Sequence, residues 1–489
     1  MKDGIVKNTI ILIATSMIIR VLSLVNRIVL TRLLGEEGIA LYVITLPSLG
    51  LFMTFAGFSL NIAVSKVIAE NAVTGRHSEK KILSVAVAIG LAVSAATILL
   101  ALAILKPLIV YGLKQENAFF PLLASVFFLP LIALNNVFRG YFNGKNRMAT
   151  SAYATLVEQV SRIACAFLLL YLFLSRGLII AVTLAVLAMG GGEIVSLAFI
   201  LWKMRKERPR PNASTAPPTN ALLKVAIPTT ASRLVGTFTY FLEPIVYTAA
   251  LTLVGLGPGE ILRRYSAITA YGIPLITLCS FVSTSIATVV IPSISKSRAL
   301  GNDRMVNYYI KKSCLLSLVP GILISVLITA YGRDYMLLIY GTETGSVYAE
   351  KLGALFILFY LHAPLAAVMQ AVGRSRVLFR VSLITSVIKL GLIFGLAFIP
   401  RVAHDSLIAA LLVNTYLSTA WIYFYLKNNF KFRFSFAEIL NVLILTALTI
   451  STHIILKAGF SNYLLNTVLL ALMFFIYCKA LKITRFDYK

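Results

Sequence analysis

The chain has 489 residues, 59% of them hydrophobic and only 13% charged, yet its formal net charge is +27. A mean hydropathy of +0.89 excludes the ordinary soluble classes, and apolar runs of 18 or more residues recur throughout, the mark of a polytopic membrane protein. The four cysteines, Cys165, Cys279, Cys314 and Cys478, lie in or at those runs and form no C-x-x-C pair, so neither a disulfide framework nor a metal site is expected.

Fourteen transmembrane helices are predicted, over 8–31, 39–65, 82–105, 118–138, 151–174, 178–202, 222–253, 265–291, 313–331, 352–372, 381–399, 406–426, 436–456 and 462–478. The first run is too long for a signal peptide and has no small-residue cleavage site, so it reads as a retained span. It carries Arg20 and Arg27, seven residues apart and therefore on one helix face with Leu24 between them. A guanidinium stays charged in lipid and costs roughly 2.5–3.5 kcal/mol or more at mid-bilayer, so this face should meet a partner or a water-filled cavity.

The second span leads into a loop with Lys66, Arg76, Lys80 and Lys81, and the fourth ends in the Gly-rich basic turn Arg139-Gly140-Tyr141-Phe142-Asn143-Gly144-Lys145-Asn146-Arg147. The fifth span carries Glu158 and Arg162 at the i, i+4 spacing of a helix ion pair, and the sixth carries Gly190-Gly191-Gly192-Glu193. Glycines of that kind let helices approach closely. A polar, basic, Pro-rich stretch follows, 203–221, and reads as a cytoplasmic linker.

After the linker the pattern restarts. Tyr111-Gly112 returns as Tyr340-Gly341 and Gly144-Lys145 as Gly373-Arg374, both at an offset of 229; Lys80-Lys81 returns as Lys311-Lys312 at 231 and Pro47 as Pro274 at 227. The expected organisation is an N-terminal six-helix lobe (1–202), the linker (203–221), a C-terminal six-helix lobe (222–430) and an added helix pair with its tail (431–489). Two copies with an even number of spans share one orientation, the parallel-repeat plan of transporters, whose substrate site lies at the repeat interface.

The placement of the cations excludes nucleic acid as the reason for the charge. Of the 45 Lys and Arg, thirty fall on the side shared by both termini, ten on the other and five inside spans. By the positive-inside rule both termini are cytoplasmic, in what reads as a bacterial cell membrane. A secondary role for these cations is contact with anionic membrane lipids.

Inside the spans stand five cations and three anions: Arg20, Arg27, Arg162, Arg233, Lys389, Glu158, Glu193 and Glu243. Arg20, Arg27 and Arg233 lie on the first span of each half and are expected to line a cationic central cavity. Glu243, Glu158, Arg162 and Lys389 are expected as gating or ion-pair residues. Aligning Lys7 with Lys224 places Glu243 beside Asn26, so Glu243 and Arg27 should lie at similar depth. The net positive interior favours an anionic substrate over the organic cations of a drug exporter. No G-x-x-x-x-G-K, G-x-S-x-G or H-E-x-x-H motif occurs, so neither ATP drive nor catalysis is expected. No cofactor is expected either; any drive would come from the membrane potential or a monovalent ion.

The run Arg27-Ile28-Val29-Leu30-Thr31-Arg32-Leu33-Leu34-Gly35, with Glu37-Gly38, Leu41-Tyr42, Ser65-Lys66 and Ala69-Glu70, resembles the start of the stage V sporulation protein B family. Arg139 to Gly144, Glu158-Gln159 with Arg162, Pro274-Leu275-Ile276 and Ile291-Pro292-Ser293-Ile294-Ser295 fit it as well, at matching span positions. The resemblance implies the multidrug/oligosaccharidyl-lipid/polysaccharide exporter superfamily and an all-α fold of two six-helix lobes plus a helix pair. It also implies flipping of a polyprenyl-diphosphate-linked oligosaccharide, lipid II-like or for another envelope polymer, in vegetative growth or sporulation. The implied partners are that lipid-linked sugar diphosphate, membrane lipids and enzymes of envelope synthesis, and Arg20 and Arg27 resemble the first-helix cations of lipid II flippases. Two alternatives stand beside it: a cation-coupled exporter of the same fold, and a non-transporting scaffold for envelope or spore-cortex synthesis.

Overall fold

The computed structural model describes residues 2–75, 77–207, 218–277, 280–430, 432 and 434–481. Most of the predicted linker, including Asn212, and Cys279 lie outside the described residues. Among the described residues there is no strand. The first helices are α1 (Lys2–Gly57), α2 (Leu60–Thr74) and α3 (Glu79–Pro107), followed by α4 (Phe119–Val126) and α5 (Leu129–Gly144). Next come α6 (Met148–Phe173), α7 (Leu178–Met204), α8 (Thr219–Leu253) and α9 (Pro258–Ser266). The chain continues with α10 (Ile273–Thr277), α11 (Ser280–Ala299), α12 (Asp303–Tyr340), α13 (Ser346–Leu355) and α14 (Phe359–Ala371). It ends with α15 (Ser375–Leu396), α16 (Ser406–Phe430), α17 (Phe436–Gly459) and α18 (Tyr463–Ala480).

Among the described residues ten helical segments are long and apolar enough to cross a membrane, thirteen if three bent pairs each count as one span. One of them, Met17–Ala72, has 56 residues, more than twice the ~20 that a crossing needs. It turns at Gly35, whose φ of 65° suits a residue without Cβ. Taken as two crossings, it brings the thirteen to the predicted fourteen. The predicted span 118–138 is two helices, α4 and α5, meeting at 41°. Pro130 explains the break, because it has no N–H to return to the carbonyl of Val126. The predicted 352–372 likewise bends by 55°, between α13 and α14.

The chain forms two compact units, Met1–Tyr265 and Ser266–Lys489. The first is built on α2, α3, α5 and the ends of α6, α7 and α8, with Leu60, Val64, Ile82, Tyr141, Phe142 and Leu222 at its core. The second has its core at Ile294, Ile310, Val368, Val381 and Ile422. The unit boundary differs from the predicted linker because α8 packs with the first unit, along α1 and α2; Thr54 Oγ1 and Thr237 Oγ1 lie 3.4 Å apart there.

Within the first unit, α2 and α5 touch through glycine. A Cβ on Gly140 would stand 2.7 Å from the Asn61 carbonyl oxygen, and one on Gly144 2.7 Å from that of Ser65. This is the small-xxx-small contact of membrane helices. Gly140→Val is expected to destabilise by about 1–3 kcal/mol, read as a lower unfolding midpoint in detergent. Gly391→Val, where nothing lies within 4 Å, should leave the midpoint unchanged.

The internal repeat is present with a corrected register. Left-handed residues end corresponding helices at Lys114 (φ 51°) and Gly341 (φ 77°), and again at Asn146 (φ 60°) and Gly373 (φ 75°); both pairs are 227 apart. The turns after α5 and α14 close with the same bonds, Arg147 N to Phe142 O at 2.9 Å and Arg374 N to Met369 O at 2.8 Å. The starts of α4 and α13, Phe119 and Ser346, and of α6 and α15, Met148 and Ser375, keep that offset. So do core residues Leu83 and Ile310, Tyr141 and Val368, and Ala154 and Val381. The offsets of 229 and 231 are therefore slips; Pro47 and Pro274 alone of the matched pairs are in register. Gly144 is helical and packs on Ser65 and Ile68, so it is not the counterpart of Gly373; the left-handed position belongs to Asn146.

Candidate functional site

α1 presents Arg20 exposed and Arg27 half-buried, one above the other. α8 carries Arg233 exposed and, ten residues on, Glu243 at 3% exposure. Pro228 and Pro244 interrupt the backbone bonding of α8 on either side of these charges. Arg27 and Glu243 both lie in the neighbourhood of Tyr240 and Tyr265. Tyr240 is on the helix turn before Glu243 and is 40% exposed; Tyr265 is buried and packs against Tyr247, ring centroids 5.9 Å apart. The first unit thus gathers a guanidinium, a carboxylate and a group of phenols. Arg20 and Arg233 lie further along the same helices, about 10 Å from Arg27 and 15 Å from Glu243 by helical rise.

Tyr42 links this group to a second one. Both Arg27 and Arg162 lie in the neighbourhood of its hydroxyl, which points to Met189 Sδ at 4.0 Å. Glu158 pairs with Arg162 one turn away on α6, as the spacing predicted. It also accepts from Arg139 Nη2 of α5 at 2.6 Å. The same Arg139 atom donates to Ser196 Oγ of α7 at 2.8 Å. Asn135 Nδ2 donates to Glu193 Oε2 at 2.6 Å and to the Glu193 carbonyl at 2.9 Å. Three helices are therefore tied by one buried polar network, made possible by Gly192, where a Cβ would stand 2.8 Å from the Glu158 carbonyl oxygen.

Sequence reading missed Arg139, Asn135 and Ser196 in this network. Sequence alone places Arg139 at the head of a basic turn, although Asn135 one turn earlier on the same helix signals that its face is buried. Tyr42, Tyr240 and Tyr265 gave no signal, since their roles depend on neighbours distant in sequence. Lys389 lies in the second unit, on α15 at 8% exposure. By the offset of 227 it is the counterpart of Arg162, and Thr385 and Ala420 stand where Glu158 and Glu193 stand in the first copy. The repeat keeps the cation of the fifth span and drops both acids.

Residues 5–298 match the family model described as polysaccharide biosynthesis protein. Stage V sporulation protein B of Bacillus subtilis (strain 168) is 32% identical over 427 residues, covering 86% of this chain and 82% of that protein. The lipid II flippase MurJ of the same organism is 25% identical over 417 residues, 77% and 74% of the two chains. A solved structure of lipid II flippase MurJ in an inward closed conformation matches with a TM-score of 0.74 at 15% identity, over 96% of this chain and 99% of that one.

Proposed function

The chain belongs to the polysaccharide biosynthesis protein family, with stage V sporulation protein B as a relative, and we propose that this multi-pass membrane transporter flips a polyprenyl-diphosphate-linked oligosaccharide by alternating access. The observation that carries the reading is the packing of α8 along α1, which brings Arg20, Arg27 and Arg233 onto neighbouring helices with the buried carboxylate of Glu243. It puts three fixed cations and one buried carboxylate on two helices that come one from each half of the repeat. Arg20, Arg27 and Arg233 bind the diphosphate in turn as it moves; each guanidinium gives forked hydrogen bonds to phosphoryl oxygens. The sugar crosses within the cavity and the polyprenyl tail stays in lipid. The lobes 1–202 and 222–430 are the bodies that move, and the packing of α8 along α1 and α2 is the contact that the movement remakes.

The test is translocation by the purified protein in liposomes, supplied with several polyprenyl-diphosphate sugars and, separately, a lipophilic cation. Movement of at least one diphosphate lipid and none of the cation is expected. Export of the cation alone would transfer the protein to the drug-exporter reading. Wild-type growth or sporulation with charge-neutral variants at Arg20 and Arg27 would favour the scaffold.

The proposed orientation has both termini in the cytoplasm. With the native cysteines removed, Thr342→Cys is expected to react with an impermeant thiol reagent in whole cells, and Asn212→Cys only after the membrane is opened. The reverse pattern would invert the topology.

A further inference from the structure

The second unit holds a cavity of about 360 Å³ between α12, α13 and α17, within the roughly 300–1,000 Å³ of ordinary ligand sites. Its polarity is graded along the helices. α12 and α17 run in the same direction: Lys311 Nζ and Glu438 Oε2 join their starts at 3.0 Å. Further along, the Tyr331 and His453 rings meet edge-on at 5.0 Å. Residues later in either helix therefore lie at the same end. The early end of the cavity is walled mainly by Ile322, Val326, Ile357 and Ile450, with Ser325 and Thr446 as its hydroxyls, and the late end carries His453 and Lys457.

Two polar atoms at the cavity are buried and find no partner in the protein, Ser325 Oγ and His453 Nδ1. Ser325 is only 5% exposed. Thr329, one turn on, shows the usual solution in a membrane helix, donating back to the Ser325 carbonyl at 2.7 Å; Ser325 makes no such bond. A hydroxyl left without a partner in an apolar setting costs about 1–3 kcal/mol, so its position at a cavity wall points to an acceptor brought by a ligand. The carboxylate of Glu350 on α13 accepts from the Arg333 backbone N–H at 3.1 Å and is not among the residues lining the cavity, where the ionisable groups at the late end are Lys457 and His453.

The geometry points to an anionic glycerophospholipid as the occupant: phosphate on Lys457 and His453, an ester carbonyl on Ser325, and an acyl chain along Ile322, Val326 and Ile450. The rise of about 7–8 Å between the levels of Ser325 and Ala330 leaves room for the glycerol between phosphate and ester. A cation with an imidazole at one end and aliphatic walls at the other match an amphiphile and neither a free sugar nor an inorganic ion. The leaflet that supplies it is the one opposite the Lys311–Glu438 end. This site lies wholly within the second unit and is independent of the arginines on α1 and α8.

The experiment is native mass spectrometry of the full chain purified with equal phosphatidylglycerol and phosphatidylethanolamine. Wild type is expected to retain phosphatidylglycerol in excess. Lys457→Gln, at an exposed position in the last turn of α17, should reduce that excess severalfold, while Lys479→Gln at the end of α18 should not. Ser325→Leu, which removes the hydroxyl and fills the shaft, should lower retention of both lipids. Equal retention of the two lipids by wild type, or an undiminished excess in Lys457→Gln, would overturn the proposal. Should Ser325→Leu fail to fold, Lys457→Gln decides the matter alone.

Discussion

Glu158→Ala is expected to leave little folded protein. Glu158 is the shared acceptor for Arg139 and Arg162, whose side chains are 16% and 15% exposed. Neither guanidinium can shed its charge. Removing one member of a buried ionic group costs about 3–5 kcal/mol, a large share of the roughly 5–15 kcal/mol that holds a domain together. The loss would be read as a lower unfolding midpoint and a reduced monodisperse fraction in detergent. The triple replacement of Arg139, Glu158 and Arg162 by methionine should recover much of the midpoint, because a well-packed apolar substitute often equals a buried ion network in stability. A midpoint for Glu158→Ala equal to that of wild type would mean that water reaches both arginines and that the network is not what joins α5, α6 and α7.

That network also shows where sequence reading stops. The Glu158–Arg162 pair was legible because one helix supplies both partners at a fixed spacing. Arg139 arrives from another helix, and no periodicity along either records the meeting. The same distinction governs the fold. Span positions followed from apolar length, and the all-helical architecture from the need to satisfy every backbone group within a bilayer. The break after Leu355 was not legible, since hydropathy continues across it undisturbed; the break after Val126 is marked by Pro130, which a reading by hydropathy alone passes over.

The repeat was legible in kind and misread in register. Matching glycines assumed that the same residue type marks the same turn. What the two copies share is a left-handed backbone position, which Gly373 fills in one and Asn146 in the other. Asparagine tolerates that conformation, so the structural mark persists while the letter changes. Once the offset of 227 is in place, Arg162 and Lys389 correspond, a relation that neither matched motif contained. The cation is retained while its acids are replaced by Thr385 and Ala420, so the two copies place similar positive charge in different electrostatic surroundings.

Arg27→Ala is expected to stop transport without unfolding the protein. Arg27 is half-buried on α1 and lies, with Glu243, in the neighbourhood of Tyr240 and Tyr265. In the proposed cycle the substrate diphosphate competes with Glu243 for this guanidinium. A ligand moves a conformational equilibrium only by the difference in its affinity for the two states. A phosphate–arginine contact made in one state and yielded to Glu243 in the other supplies such a difference. Truncating one partner of a desolvated charge pair costs about 2–5 kcal/mol, so the initial flipping rate should fall at least about thirtyfold. Arg27→Lys should give an intermediate rate, since it keeps the charge and loses the forked geometry. Glu243→Gln acts on the other side of the same competition. With the substrate's rival weakened, the balance between the two open forms should shift, visible as altered labelling of single cysteines placed along α1 and α8. Normal flipping by Arg27→Ala together with unchanged labelling in Glu243→Gln would remove this pair from the mechanism. Loss of flipping in Arg27→Ala with unchanged labelling in Glu243→Gln would keep the arginine as the anion site and place the switch between states elsewhere.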